Sequence, residues 1–356
     1  MSKKDGFMKS TFTRTYSSLV TCTAFAALGV ALMATPWVAS AQAVTPTADG
    51  IVVYNAQHAS LTKAWADGFT RETGIKVTLR NGSDTELGNQ IVQEGAASRA
   101  DVFLTENSPA IALVDSSSLF APLAPATLAL VPVNFRPANG HWVGIAARST
   151  VFVYNKSKLT TAQLPKSMLE LASPSWKGRW AASPAGADFQ AIVSALLELK
   201  GEVATAAWLK AMKENATTYK GNGVVLKAVN AGQIDGGIIY HYYRAGDQAK
   251  TGENSNNTEV HYFRNQDPGA FVSISGGGVL ASSKHQPEAQ AFVRWVAGKG
   301  GQDILKTGDS YEYAVGIAAQ SNAKLVPLSE LQAPLVEPAK LNSKKVADLM
   351  TQAGLL

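Results

Sequence analysis

The chain has 356 residues, 46% hydrophobic and 8% aromatic, which suits two packed units of ordinary domain size and excludes a largely disordered polymer. Its formal charge of +5 sits near the start: Met1 to Ala41 holds Lys3, Lys4, Lys9 and Arg14 against Asp5, and setting these aside from 32 basic and 27 acidic residues leaves 28 and 26, about +2. The remaining charges are interspersed without a basic stripe, so no nucleic-acid partner is expected, and Cys22 as the only cysteine excludes a disulfide framework and a thiolate metal shell.

The basic start runs into an apolar stretch, Leu19 to Met33, then Pro36 and the small residues Ala39-Ser40-Ala41. This is the grammar of an export signal over 1–41, cleaved after Ala41, followed by a polar tether over 42–50. An uncleaved anchor is the competing reading, although the run is short for a span of ~20 residues.

Ile51 to Asn55 is a β-rich run. Ser60 is placed to cap a helix whose apolar face is Leu61, Ala64, Trp65 and Phe69, and Gly74 ends it. Ile75 to Leu79 is the next strand, Asp84 opens a helix with Leu87, Ile91 and Val92 inward, and Asp101 to Leu104 is a third strand. This alternation predicts a parallel sheet covered by helices, with ligands gathered at the carboxyl ends of the strands. His58 and Glu106 lie just past the first and third strands.

Further on, Trp142 to Asn155 is β-rich. Phe189, Ile192, Val193 and Leu196 make one helix face, and Val203, Ala207, Trp208 and Met212 another. Ile234 to Tyr243 is a strand running into a turn, Asp267-Pro268-Gly269 is turn chemistry, and Phe271 to Ser275 resumes a strand. Pro287 fits the first turn of a late helix stopped by Gly298, and Asn342 to Gly354 reads as a last helix.

The run Tyr240-His241-Tyr242-Tyr243 stands out where a strand ends. Aromatic packing at a β-rich edge explains it as well as function does. The functional reading is metal ligation by phenolate. A phenol of pKa ~10 ionises near neutrality only beside strong positive charge, and a hard trivalent ion prefers anionic oxygen. Neighbouring strand residues face opposite ways, so Tyr242 and Tyr243 can share one ion only if the backbone turns there. His58 and Glu106 have plain alternatives as a solvated loop histidine and a helix-capping glutamate.

Val53-Tyr54-Asn55-Ala56-Gln57-His58 resembles the opening of the bacterial periplasmic ferric-ion-binding proteins. So do Phe69 to Val77, Ala100-Asp101-Val102-Phe103 with Glu106, Arg148-Ser149, Val153-Tyr154-Asn155, Pro174 to Arg179, Tyr242-Tyr243 and Asp267-Pro268-Gly269-Ala270. The similarity covers the chain in order from about Ile51 onward. It implies an α/β fold of the two-lobe type II periplasmic-binding-protein kind, with hinge-crossing strands and a central cleft. It places lobe 1 at 51–147 and 272–322, lobe 2 at 148–271 and 323–356, and hinges near Ala147 and Phe271. It implies Fe3+ as cargo, held by His58, Glu106, Tyr242 and Tyr243, with a synergistic phosphate or carbonate. The anion loop matches Ala185, Gly186 and Ala187, with Asn222 and Arg148 as further anion contacts. A monomer in the periplasm, handing iron to the permease of an ATP-driven (ABC) importer, is the implied role.

Two departures stand out. Where phosphate-using relatives carry serine and asparagine, this chain has Ala185 and Tyr240. Tyr240 is thus an extra ligand or an anion contact. An anion binder, for phosphonate or phosphate, is the alternative within the same fold. No Gly-x-Ser-x-Gly elbow, His-Glu-x-x-His pattern or P-loop occurs, so an enzyme is not expected.

Overall fold

The computed structural model describes residues 49–356, so the export signal expected over 1–41 lies outside the described residues. Three parallel strands open the described chain: β1 (Ile51–Asn55), β2 (Val77–Asn81) and β3 (Val102–Leu104), with β1 in the middle. Between and after them run α1 (Ala59–Thr73), α2 (Asp84–Glu94), α3 (Ser108–Ser116) and the short α4 (Pro125–Leu128). α1 buries Leu61, Trp65 and Phe69 at helical spacing, and each of the two aromatics contributes roughly 2–3 kcal/mol of transfer free energy. Gly74 closes α1 in the left-handed region at φ 76°, its N–H donating to Thr70 O, a conformation that favours glycine. The expected Ser60 cap is corrected: the residue before the first turn is His58, at φ −48° and ψ 122° and with no side-chain capping bond, and Ser60 is an exposed helical residue.

β4 (Trp142–Asn155) is the spine of the molecule. Its first part pairs antiparallel with β9 (Val272–Val279) through Ser149, and its last part pairs with β7 (Gly236–Tyr240) and β8 (Thr258–His261). Between β4 and β7 the chain forms β5 (Trp180–Ala182), α5 (Ala187–Asn215), β6 (Ala216–Thr218) and α6 (Asn222–Asn230), and α7 (His241–Lys250) follows β7. The sheet order is β2-β1-β3-β9-β4-β7-β5-β6, with β8 against β4. Thus two mainly parallel ends are joined by two antiparallel strands that cross the middle. α8 (Gln286–Ala297), α9 (Lys299–Thr307) and α10 (Ser343–Gln352) complete the described chain.

Apolar clusters cover both faces at each end. Trp65, Phe69, Val143, Phe292 and Val296 pack on one face of the β1 end, and Leu87, Phe103, Ile111 and Trp142 on the other. At the β5 end, Phe152, Trp180, Phe189 and Trp208 gather with Val346 and Met350 of α10, while Val151, Val225 and Ile239 fill the opposite face. One expected helix face is corrected. Val203 is 86% exposed and Ala207 is exposed, because Gly201, at φ 78° and ψ 172°, breaks α5 and resets its phase. The stripe buried beyond the break is Thr205, Trp208, Leu209 and Met212.

Candidate metal centre

The middle of β4 carries the polar run Arg148-Ser149-Thr150, each residue at most 1% exposed, in a strand that is otherwise almost wholly apolar. A buried guanidinium needs partners, and here they come from both ends of the sheet. Arg148 Nη1 lies 2.9 Å from Glu106 Oε1 and 4.0 Å from Asp188 Oδ1. Nη2 donates to Glu312 Oε2 at 2.6 Å, and to Gln57 Oε1 and Ser275 Oγ at 3.1 Å each. The guanidinium carbon also sits 5.2 Å from the ring centroid of Tyr242.

His58 follows β1, and its backbone N–H donates to Gln57 Oε1 at 2.7 Å. Its Nε2 is 2.7 Å from Glu106 Oε1 and its Nδ1 is 3.0 Å from Glu312 Oε1. Burial disfavours the imidazolium, but the two carboxylates outweigh this and push the pKa up to about 10. Glu106 follows β3, where its backbone N–H donates to Asp84 Oδ1 at 2.9 Å. Burial opposes its ionisation, yet Arg148 and His58 hold its pKa below the usual carboxylate range. The same contest puts Glu312 at about 2.

Tyr242 and Tyr243 arrive from the other end. β7 stops at Tyr240, and α7 starts at His241. The expected turn is therefore a strand-to-helix switch, and neighbouring residues on the first helical turn can face one point. Their rings stack at 4.4 Å, and both hydroxyls donate to Asp188 Oδ2, at 3.1 and 3.0 Å. The Tyr242 ring lies 4.8 Å from the His58 ring, edge to face. The four residues expected as ligands are thus brought around one point by three separate segments, the ends of β1 and β3 and the first turn of α7. Burial, and next the charge of Asp188, raise both phenol pKa values, so these phenols keep their protons unless a strong cation displaces them. Tyr240, 0% exposed, points its hydroxyl to Asn107 Oδ1 at 3.2 Å, and its ring is 6.3 Å from that of Tyr242.

The expected anion corner holds a carboxylate of the chain itself. Gly186 and Ala187 begin α5, and Asp188 in its first turn is 5% exposed. Asp188 accepts from Asn107 Nδ2 at 3.0 Å and from Asn222 Nδ2 at 2.8 Å, besides the two phenols. Burial, then the nearby Glu106 charge, raises its pKa. Ala185 is exposed at the loop tip, and the Gly186 N–H is turned to Ser183 O. A cavity of about 360 Å3 between α2, α3, α5 and α10 reaches Asp84, Asn107 and Ala187 beside this corner.

Two residues were absent from the sequence expectations. Asp188 reads in sequence as an ordinary acid in a helix's first turn. Glu312 lies in an irregular stretch after α9 and meets His58 and Arg148 only through the fold. Its neighbour Tyr311 has φ 54°, a left-handed value rare for a bulky residue and a mark of a functional or strained site. Among the described residues no group of three or more His, Cys, Asp or Glu is placed to hold a metal ion.

Two sheet ends bridged by crossing strands, with polar side chains from both converging at the crossover, are the architecture of a solute-binding protein. The chain belongs to the bacterial extracellular solute-binding proteins, whose family model matches residues 55–303. It is a solute-binding protein and not an enzyme. Within that family it is 70% identical over 328 residues to the Fe(3+)-binding periplasmic protein of Serratia marcescens, covering 92% of this chain and 97% of that one. It is 39% identical to the major ferric iron-binding protein of Neisseria meningitidis, covering 89% and 96%. The crystal structure of iron-bound HitA from Pseudomonas aeruginosa superposes with a TM-score of 0.80 at 40% identity, covering 86% of this chain and 99% of that one. The type II periplasmic-binding fold expected from the sequence is the fold observed.

Proposed function

We propose that the chain binds Fe3+ between its two sheet ends through His58 Nε2, the Glu106 carboxylate and the phenolates of Tyr242 and Tyr243. The observation that carries this is the convergence of two phenol hydroxyls, one buried and one half-buried, on one carboxylate, beside an imidazole whose Nε2 already faces Glu106. Glu106 and two phenolates bring three negative charges to a trivalent ion, so the core closes near neutrality. Asp188 lies where both hydroxyls point and adds a further oxygen donor. It supplies from within the chain the charge that a synergistic phosphate or carbonate would bring, and Asn222 and Arg148 orient that corner. Tyr240, held by Asn107, acts as a support for the corner.

The alternative anion binder fits the site poorly. Asp84, Glu106, Asp188 and Glu312 crowd one centre, and the available cations, Arg148 and His58, are already paired. We take the lobes as 51–147 with 272–322 and 148–271 with 323–356; the packing of Val346 and Met350 with Trp180 and Phe189 supports the second, while Leu331 joins the cluster of the β1 end and Tyr311 that of the β5 end. Ligands from both lobes make the metal favour the closed form by differential affinity, with the crossing strands as hinge. The relatives named as periplasmic support the same compartment for this chain after removal of the leader, and delivery to the permease of an ABC iron importer.

Titrating the metal-free protein with ferric citrate, and separately with phosphate and phosphonates, tests the reading. One equivalent of iron should raise a visible tyrosinate charge-transfer band. A saturated but colourless protein, or tight binding of phosphate without iron, would overturn it.

A further inference from the structure

Glu312 is 0% exposed and uses its two oxygens differently. Oε2 collects Arg148 Nη2 at 2.6 Å, Gln57 Nε2 at 3.1 Å and Ser275 Oγ at 3.4 Å. Those contacts alone would hold the carboxylate and compensate the arginine. Oε1 is reserved for His58 Nδ1 at 3.0 Å, a contact that is a hydrogen bond only when Nδ1 carries the proton. The backbone is arranged to deliver it. Tyr311 takes a left-handed φ of 54°, its carbonyl oxygen is 2.8 Å from His241 Nε2, and Tyr313 bridges to Ala147 on β4 through two backbone hydrogen bonds. Glu312 is thereby fixed between the strand that bears Arg148 and the loop that bears His58.

We propose that Glu312 is a positioning residue for metal capture: it holds His58 in the tautomer and orientation that present Nε2 to the metal. This inference rests on the ligand set proposed above. A ligating imidazole binds through one nitrogen and donates from the other, and a carboxylate on the second nitrogen fixes the ring and raises its donor strength. Glu106 can then leave Nε2 for the ion while the Oε1 contact stays in place, so His58 meets the metal without reorienting.

The test is a double-mutant cycle on iron affinity, read by competition with citrate. Glu312→Gln keeps the side chain's shape and should weaken Fe3+ binding about 10–100-fold, the usual loss for such outer partners. In a His58→Gln background the same change should cost less than about twofold, because its route to the metal is gone. Equal losses in both backgrounds would show that Glu312 acts through Arg148 or the fold, and would overturn the proposal. Should Glu312→Gln not fold, the wild type loaded with diamagnetic Ga3+ decides. Its imidazole nitrogen spectrum should show His58 protonated at Nδ1 and bound to metal through Nε2, and the reverse assignment ends the proposal. A wild type that takes up Fe3+ without a tyrosinate band would instead strike at the ligand set.

Discussion

The two sides of the site solve the same problem, charge buried away from water, by opposite means. On the β1 side, full charges face each other: Arg148 and His58 against Glu106 and Glu312. On the α7 side the phenols keep their protons instead, with the pKa values of Tyr242 and Tyr243 raised by burial first and by the Asp188 charge next, and Asp188 accepts from both hydroxyls and from Asn107 and Asn222. One side waits as ion pairs and the other as protonated phenols gathered on a single carboxylate. An entering trivalent cation must break one ion pair and expel protons. The difference teaches that affinity here is a proton-exchange equilibrium as much as a coordination one.

The largest effect follows from that exchange. In the metal-free form His58 is protonated up to about pH 10 and the phenols beyond the usual tyrosine range. Coordination by Nε2 and two phenolates therefore releases about three protons near neutrality, and affinity should rise on the order of a thousandfold per pH unit, after correction for the competing chelator. Calorimetry in two buffers of different ionisation enthalpy counts the protons directly. A slope near zero would mean that the two sides do not exchange protons for metal.

Next in size, Tyr243→Phe removes one hydroxyl from Asp188 and one phenolate from the proposed shell. Iron affinity should fall by more than ~100-fold, above the loss expected of outer partners, and the visible band should weaken and shift. Tyr240→Phe, which loses the hydroxyl's hydrogen bonding to Asn107 at 3.2 Å and to Ser273, should cost less than about tenfold. Comparable losses for the two would assign Tyr240 to the shell.

The comparison also marks what the sequence disclosed. The β-α-β-α-β opening was readable because apolar spacing and turn residues are local; His58 and Glu106 drew notice by lying just past strand ends, and their role as ligands came only from the family resemblance. The crossing of strands near Ala147 and Phe271 came with the resemblance and not from local pattern, since the pairing of β4 with β9 and β7 is decided by residues far apart in the chain. Glu312 meets Gln57 across 255 positions, and no periodicity in its irregular stretch points inward. Asp188 was hidden by a plausible local role at a helix start. Burial and a convergence of four donors, which only the fold supplies, distinguish it from a solvated cap.

Asp188→Asn sharpens the α7 side further. With the internal carboxylate gone, iron affinity should fall about tenfold in the absence of other anions, and added phosphate or carbonate should restore part of it. The unaltered protein should respond little to either anion. A wild type as anion-dependent as the variant would show that Asp188 does not take the place of an added anion.

The smallest effect separates the two sides without metal. His58, raised from 6.5 to about 10, contributes stability that is fully present below pH 6.5 and lost as pH climbs through 10. Asp84, raised to about 8 by burial and then by the Glu106 charge, loses its contribution as pH rises from 3.8 to 8. Glu312, lowered from 4.5 to about 2, contributes above pH 4.5 and loses that contribution as pH falls through 2. The metal-free protein should therefore be most stable in mild acid and decline by a few °C in Tm toward pH 9. The iron-loaded protein should gain over the same range, because binding tightens as protons leave more easily. Thermal scans of both forms from pH 5 to 9 should diverge, and His58→Gln should flatten the metal-free decline. Parallel curves would break the picture of one side held by ion pairs and the other by protons, since iron would then be entering without disturbing either.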